Sequence, residues 1–248
     1  MSTSPARPAA PVPPVAVLAV LAVLGVAAAV DLVSLAVGFE PGHTAAKPLL
    51  MPLLALWAHL CGAPRLLVAA LLFGWGGDVL LLSDAEPAFL AGMGSFALGH
   101  VCYLALFAAH GRPHPVPRAR AGLIALGYAV VLTGVVALLL PGLPAGLRVP
   151  VAAYSALLTA MAYGARTRLG PVAGCGGALF MLSDTLIATG LADWPQPPAP
   201  DFWIMLTYLA AQSLLTWGTL AAGRAPASDG SGGRPGWGAR TSTPLDRA

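Results

Sequence analysis

The sequence predicts an all-α, polytopic integral membrane protein with eight transmembrane helices. Hydrophobic residues make up 57% of the 248-residue chain and charged residues only 9%, and the mean hydropathy is +0.78. Soluble domains carry about 25% charged residues, so this composition excludes an ordinary soluble domain. The net charge of +3 comes from scattered arginines with no basic stripe between aromatic residues, so we expect no nucleic-acid partner.

The apolar residues fall into stretches of about the 20 residues that a helix needs to cross the bilayer. Breaks rich in Pro and Gly, which are typical of turns, separate them. The first stretch is longer than the core of about 7–15 residues in a cleaved signal peptide, which favours a membrane helix there. The predicted spans are 15–37, 46–62, 65–83, 87–109, 119–140, 147–165, 170–191 and 201–222.

These spans define the domain organisation. Residues 1–14 are predicted to form a flexible N-terminus, and residues 15–222 form the transmembrane domain. Residues 223–248 are rich in Gly, Ser and Pro, a composition typical of a disordered tail.

Basic residues indicate the orientation of the chain. If the spans alternate in direction, only Lys47 and Arg148 fall on the side that also holds most acidic loop residues. The positive-inside rule then places both termini in the cytoplasm, in a bacterial-type cell membrane. The arginines on the cytoplasmic side are Arg7, Arg65, Arg112, Arg118, Arg120, Arg166, Arg168 and Arg224.

Polar residues inside the apolar spans mark the candidate site. Asp78 lies in LLFGWGGDVLLL of span three and Asp184 in GALFMLSDTLIATG of span seven. Placing a charge in a bilayer costs about 2.5–3.5 kcal/mol on insertion scales, and such residues are usually functional. Other polar side chains fall at a similar or slightly deeper level, so we expect all of them to meet in one shared polar chamber. They are Lys47, Tyr154, Tyr208, His100 and Gln212.

Helical spacing places several of these side chains on common faces that look into the bundle. A weak similarity between LLFGWGGDVLL and ALFMLSDTLI also suggests two parallel repeats of four helices. The faces are Gly74, Gly77 and Asp78 on span three; Phe96, His100 and Tyr103 on span four; Gly177, Phe180 and Asp184 on span seven; and Tyr208 and Gln212 on span eight.

At these residues the chain resembles the YhhN-like membrane proteins, which include the lysoplasmalogenases of animals. The resemblance spans residues 30–220 and implies eight helices and hydrolysis of the vinyl ether bond of lysoplasmalogens to a fatty aldehyde and a glycerophospho-headgroup. The matching residues are Lys47-Pro48, Gly77-Asp78, Phe96, Gly99-His100, Tyr103, Tyr154, Gly177-Ala178, Phe180, Ser183-Asp184, Tyr208 and Ala211-Gln212.

A vinyl ether is cleaved by acid, which requires a carboxyl group that is protonated at neutral pH. Two carboxyl groups in a low-dielectric bundle can divide this work, one protonated and the other ionised, and we assign Asp78 and Asp184 as the acid/base pair. Lys47 is expected to bind the lipid phosphate or to interact with a carboxylate. His100, Tyr103, Tyr154, Tyr208 and Gln212 are expected to bind the lysophospholipid and orient water.

No metal-ligand spacing is found, so no metal or cofactor is predicted, but two aspartates and a histidine could bind a metal and the sequence leaves this open. Membrane lipids are the expected surroundings. A simpler interpretation is that an aspartate pairs with Lys47 and fixes helix packing. Asp31, near the end of span one, is expected to have a structural or solvated role. A proton-coupled transporter and a non-catalytic lipid-binding protein are the alternative functions, because carboxylates inside repeated helices also suit a carrier. The sequence leaves the oligomeric state open.

Overall fold

The computed structural model describes residues 13–83, 85–111 and 118–224, and these residues form eight α helices and no strand. Most of both predicted terminal segments, Asp84 and the Pro-rich loop with Arg112 lie outside the described residues. The helices are α1 (Pro14–Val37), α2 (Glu40–Leu60), α3 (Arg65–Leu80), α4 (Glu86–His110), α5 (Arg118–Leu139), α6 (Ala145–Arg168), α7 (Pro171–Leu191) and α8 (Pro200–Arg224).

The prediction of an all-helical membrane protein is confirmed, and each predicted span corresponds to one helix. Six helices (α1, α4, α5, α6, α7 and α8) are long and apolar enough to cross a membrane by themselves. The remaining two are α2, which carries Glu40, His43 and Lys47 in its first half, and α3, which has only 16 residues. Eight membrane crossings therefore remain a prediction.

The largest difference from the predicted bounds is at the start of α2, which begins at Glu40 and not at residue 46. Pro41 and Gly42 are helical, although the sequence suggests a break there. A proline in the first turn of a helix costs little because its missing N–H has no intrahelical partner at that position. The turn before it forms at Gly38, whose φ of 72° suits glycine. Six additional residues, among them His43, thereby join the helix.

Seven of the helices contact one another in a cyclic order, α1–α2–α3–α4–α6–α7–α8 and back to α1. Helix α8 also contacts α2 and α3, while α5 lies outside the ring against α6 and α7. The polar residues of the two predicted four-helix repeats lie on α3 and α4 and on α7 and α8. These helices thus face a common interior.

Glycines allow the helices around the site to approach closely. A Cβ atom at Gly74 would lie 2.9 Å from the Tyr208 hydroxyl, and one at Gly77 would overlap the ring of Phe96. A Cβ atom at Gly176 would lie 2.9 Å from the backbone of α8. These contacts confirm that the Gly74, Gly77 and Asp78 face looks into the bundle, where small residues let helices pack tightly.

Candidate active site

Asp78 lies at the centre of the first of two hydrogen-bonded groups. Its Oδ2 atom accepts a hydrogen bond of 2.9 Å from the hydroxyl of Tyr208 on α8. Gln212, one helical turn further along α8, accepts a bond of 2.6 Å from the Tyr103 hydroxyl through its Oε1 atom. The Gln212 Nε2 group in turn donates to the Tyr208 oxygen at 3.4 Å. All four side chains are buried, so this group joins α3, α4 and α8 away from the surface.

Asp184 belongs to the second group, which joins α4, α6 and α7. Its Oδ2 atom accepts a hydrogen bond of 2.5 Å from the hydroxyl of Tyr154. The Nε2 atom of His100 lies 3.0 Å from the same hydroxyl. Since that hydroxyl donates its proton to Asp184, His100 Nε2 is the donor to the Tyr154 oxygen. The buried Nδ1 atom of His100 has no partner among the described residues.

An aromatic layer separates the two groups. The Phe180 ring packs edge-on against His100 at 4.8 Å between ring centroids and against Tyr208 at 5.4 Å. Phe96 packs edge-on against Phe180 and Tyr208, at 6.4 and 5.9 Å. The sequence predicts Phe96 and Phe180 on interior faces, but it does not predict that they lie between the carboxylates.

A groove gives only one of the two groups an open side. Helices α4 to α7 and the end of α3 line this groove, whose volume is about 730 Å³ when its open side is counted. Asp184 and Tyr154, both half-buried, form part of its wall, whereas Asp78 is 3% exposed and does not line it. The expected single polar chamber is therefore corrected to two separate hydrogen-bonded groups, because the Phe180 ring packs against His100 of one group and Tyr208 of the other.

Lys47 lies near a third polar group. Asp31 is fully buried and its Oδ1 atom lies within hydrogen-bond distance, 2.8 Å, of His43 Nδ1, so of the structural and solvated roles expected for it the structural one applies. Lys47 is 8% exposed and interacts electrostatically with both Asp31 and Asp78. Among the described residues it forms no ion pair within 4 Å, so the alternative of a direct Asp–Lys47 pair is not seen.

Sequence reasoning missed some residues of this region. His43 lies between the predicted spans 15–37 and 46–62, although its spacing of four from Lys47 would place both on one helical face. Ser155 and Thr185, which line the groove, stand one position after Tyr154 and Asp184. Within the described ranges, no three His, Cys, Asp or Glu side chains are grouped so that they could hold a metal ion.

Together these features define a multi-pass membrane protein whose helices surround two carboxyl groups, Asp78 and Asp184, each hydrogen-bonded to a tyrosine. Residues 42–219 match the sequence profile of the YhhN family, and the chain belongs to that family.

The sequence is also similar to several mammalian lysoplasmalogenases. Lysoplasmalogenase TMEM86B of Homo sapiens is 36% identical over 159 residues, which are 64% of this chain and 65% of that protein, slightly less than two thirds of its length. Lysoplasmalogenase TMEM86B of Rattus norvegicus is 34% identical over 70% of each chain. Lysoplasmalogenase TMEM86A of Bos taurus is 31% identical over 71% of this chain and 78% of its own. No solved structure matches the sequence.

Proposed function

We propose that this protein is a membrane hydrolase that cleaves the vinyl ether bond of lysoplasmalogen-like lysolipids. The products are a fatty aldehyde and a glycerophospho-headgroup. The observation that carries this proposal is the position of Asp184, a carboxyl group on the wall of an apolar groove, with a tyrosine holding one of its two oxygens. The similarity to lysoplasmalogenases supports the same reaction.

The reaction needs a proton donor next to the alkene. Tyr154 occupies Oδ2 of Asp184, and Oδ1 has no hydrogen-bond partner among the described residues, so the protonated acid can present its O–H to the groove. Transfer of this proton to the alkene carbon that is not bonded to oxygen leaves an oxocarbenium ion. Water adds to the cation and returns a proton to Asp184, and the hemiacetal then collapses to the aldehyde and the alcohol. General acid catalysis of this kind contributes about 10²–10⁴-fold.

Asp78 completes the acid/base pair from behind the aromatic layer. It interacts electrostatically with Asp184 and Lys47 and is held by Tyr208. As the ionised member, it favours the positive charge that develops in the groove, in the manner of other preorganised charges in low-dielectric sites. Asp184 is therefore the acid that contacts the substrate. Asp78 does not contact the substrate and stabilises the transition state by a longer-range electrostatic interaction.

The other predicted site residues either contact the substrate or position the residues that do. Tyr154 lines the groove and is the one that can touch substrate directly. His100, Tyr103, Tyr208 and Gln212 are nearly fully buried and bonded to Tyr154, to Asp78 or to one another, so we assign them to positioning. Lys47 keeps its expected role near the lipid phosphate, together with its effect on Asp78.

The proposed membrane arrangement has eight crossings, with both termini in the cytoplasm of a bacterial-type cell. Parallel four-helix repeats are supported by the pairing of helices, since α3 packs on α4 as α7 packs on α8, and α4 contacts α6 as α8 contacts α2. Tyr208 and Tyr154, which bond the two aspartates, nevertheless come from helices that are not equivalent in such a repeat. The repeat thus accounts for the packing of the helices but not for the positions of the tyrosines that bond the two aspartates.

The test is reaction of the purified protein in proteoliposomes with lysoplasmalogen, with the saturated ether lysolipid and the ester lysolipid as matched controls. The proposal expects aldehyde release from the vinyl ether alone. Cleavage of the ester lipid would contradict it. Uptake of substrate that depends on a proton gradient, without aldehyde, would instead establish the alternative function of a proton-coupled transporter. Saturable lipid binding with neither outcome would establish the lipid-binding protein.

A further inference from the structure

Two buried carboxyl groups share one buried lysine in this bundle. Asp31 on α1 is fully buried and Asp78 on α3 is 3% exposed, whereas Lys47 on α2 is the one buried side chain of the Lys and Arg types among the described residues. Lys47 interacts electrostatically with both carboxyl groups and forms an ion pair within 4 Å with neither. Because buried charges are stable only when they are compensated, two ionised carboxylates leave this region one positive charge short.

The imidazole of His43 is placed to supply the second positive charge. Its Nδ1 atom lies 2.8 Å from Oδ1 of Asp31, and its side chain is 13% exposed. His43 stands four positions before Lys47, so both side chains project from one face of α2. Histidine changes its charge in the neutral pH range, and both of its ring nitrogens are donors in the charged form. A charged His43 thus pairs with Asp31 and balances the charge of the region.

We propose that His43 carries this charge and that Asp31 and His43 are positioning residues for Asp78. The pair of Asp31 with His43 leaves Lys47 to compensate Asp78, which keeps Asp78 ionised. This inference rests on the proposed function for the role of ionised Asp78, whereas the charge of His43 is independent of any reaction. Neither Asp31 nor His43 lines the groove beside Asp184, so both act through Lys47.

The other charged residues around α2 are exposed and do not provide the missing charge. Helix α2 packs against α1 and α3 and, less extensively, against α8. Glu40 on α2 itself and Asp201 in the first turn of α8 are exposed and acidic. Arg65 begins α3 and Arg224 ends α8, so each lies at the far end of its helix from Asp78 or Tyr208. Among the described residues, His43 is therefore the second cation available to the buried carboxylates.

The first test measures the charge of His43 and does not depend on hydrolysis. The full-length protein is prepared in detergent with isotope-labelled histidine, and nitrogen NMR at neutral pH distinguishes protonated from bare ring nitrogens. The spectrum of His43→Asn identifies the signals of His43. We expect both ring nitrogens of His43 to be protonated in the unmodified protein.

The matched variant for this measurement is Asp31→Asn. Its amide oxygen still accepts the hydrogen bond from His43, but the negative charge that stabilises the imidazolium is gone, so we expect one ring nitrogen to lose its proton. A bare ring nitrogen of His43 in the unmodified protein, or an unchanged spectrum in Asp31→Asn, would refute the proposal.

The second test is a charge-balance rescue of aldehyde release. His43→Asn keeps a donor beside Asp31 but removes the positive charge, so Lys47 has two carboxylates to compensate. We expect kcat to fall by about fivefold or more, the scale at which separate sites influence one another. The double variant His43→Asn with Asp31→Asn removes one charge of each sign and should recover most of the lost kcat.

A hydrogen bond that only holds α1 against α2 gives a different pattern. In that case the double variant would be at least as impaired as His43→Asn alone, and this result would overturn the proposal. His59→Asn makes the same chemical change at an exposed residue in the last turn of the same helix and should leave kcat unchanged.

The two tests separate this inference from the proposed function. A charged His43 that depends on Asp31, in a protein that releases no aldehyde from any lipid, would refute the hydrolase and leave the charge pairing intact. Aldehyde release by a protein whose His43 is neutral would do the reverse. A His43→Asn protein that elutes as an aggregate is replaced by His43→Gln in both tests.

Discussion

Tyr208 on the last helix donates a hydrogen bond of 2.9 Å to Asp78 on the third helix, 130 positions earlier in the chain. This bond joins the two halves of the bundle at the buried carboxyl group that lacks access to the groove. Asp184 is bonded in the same way by Tyr154 but lies on the groove wall. Two chemically similar pairs therefore occupy different surroundings, and several predictions depend on that difference.

Asp184→Asn should abolish most of the aldehyde release, because an amide cannot supply the proton. The expected loss in kcat is at least about 100-fold, the lower end of the contribution of general acid catalysis. Asp201→Asn makes the same chemical change at an exposed residue in the first turn of α8 and should have no effect. Initial rates with purified proteins measure both, and near-normal activity of Asp184→Asn would remove the residue from the acid role.

Tyr154→Phe should reduce kcat with little change in folding, since it removes only the hydroxyl that contacts Asp184 and His100. We expect a loss of about 10–100-fold, because the carboxyl group remains but loses its orientation. Tyr163→Phe is the matched control, as Tyr163 packs edge-on against Tyr128, apart from the two hydrogen-bonded groups. Equal activity of the two variants would contradict the positioning role.

Gly77→Ala should destabilise the protein by about 1–3 kcal/mol, which is typical of overpacking, because its methyl group would overlap the Phe96 ring. Gly94→Ala, on α4, places the same methyl group where no other atom lies within 4 Å, so it should leave the Tm unchanged or raise it slightly. Thermal unfolding in detergent compares the two. A Tm for Gly77→Ala that matches Gly94→Ala would show that α3 and α4 are less tightly packed there.

Lys47→Met and Asp78→Asn should be less than additive in their effects on stability. Lys47 interacts electrostatically with Asp78 without a direct ion pair, so removing the cation leaves the buried carboxylate less compensated and should lower the free energy of unfolding. The expected coupling between the two sites is about 0.5–3 kcal/mol. Removing both charges should recover part of this loss. The free energies of unfolding of the two single variants and the double variant give the coupling. Simple additivity would mean that the two charges act independently.

Both termini are expected on the cytoplasmic side. A green fluorescent protein fused to either end should fluoresce in bacterial cells, while an alkaline phosphatase fused to either end should be inactive. The reverse result at both ends would invert the topology, and opposite results at the two ends would imply an odd number of crossings. The arginine distribution is the physical basis of the expectation.

The sequence by itself determined the class of structure, because hydropathy and turn residues are local properties. It predicted the eight helices and the inward faces of α3, α4 and α8, where the periodicity of one helix is sufficient. It failed at the start of α2, since the tolerance of Pro41 in a first turn depends on where the preceding turn forms. The position of His43 on α2 and its hydrogen bond with Asp31 could not be predicted without that boundary.

Only the tertiary structure decided how the polar residues combine. Helical spacing places Asp78, Asp184 and the tyrosines inside the bundle, but it does not fix which helix packs on which. The contact of α4 with α6 brings Tyr154 to His100, and α8 brings Tyr208 to Asp78. The rings of Phe96 and Phe180 then separate the carboxyl groups and leave Asp184 alone on the groove. Packing between segments that are distant in the sequence sets these relationships. No local sequence pattern encodes which helices pack together.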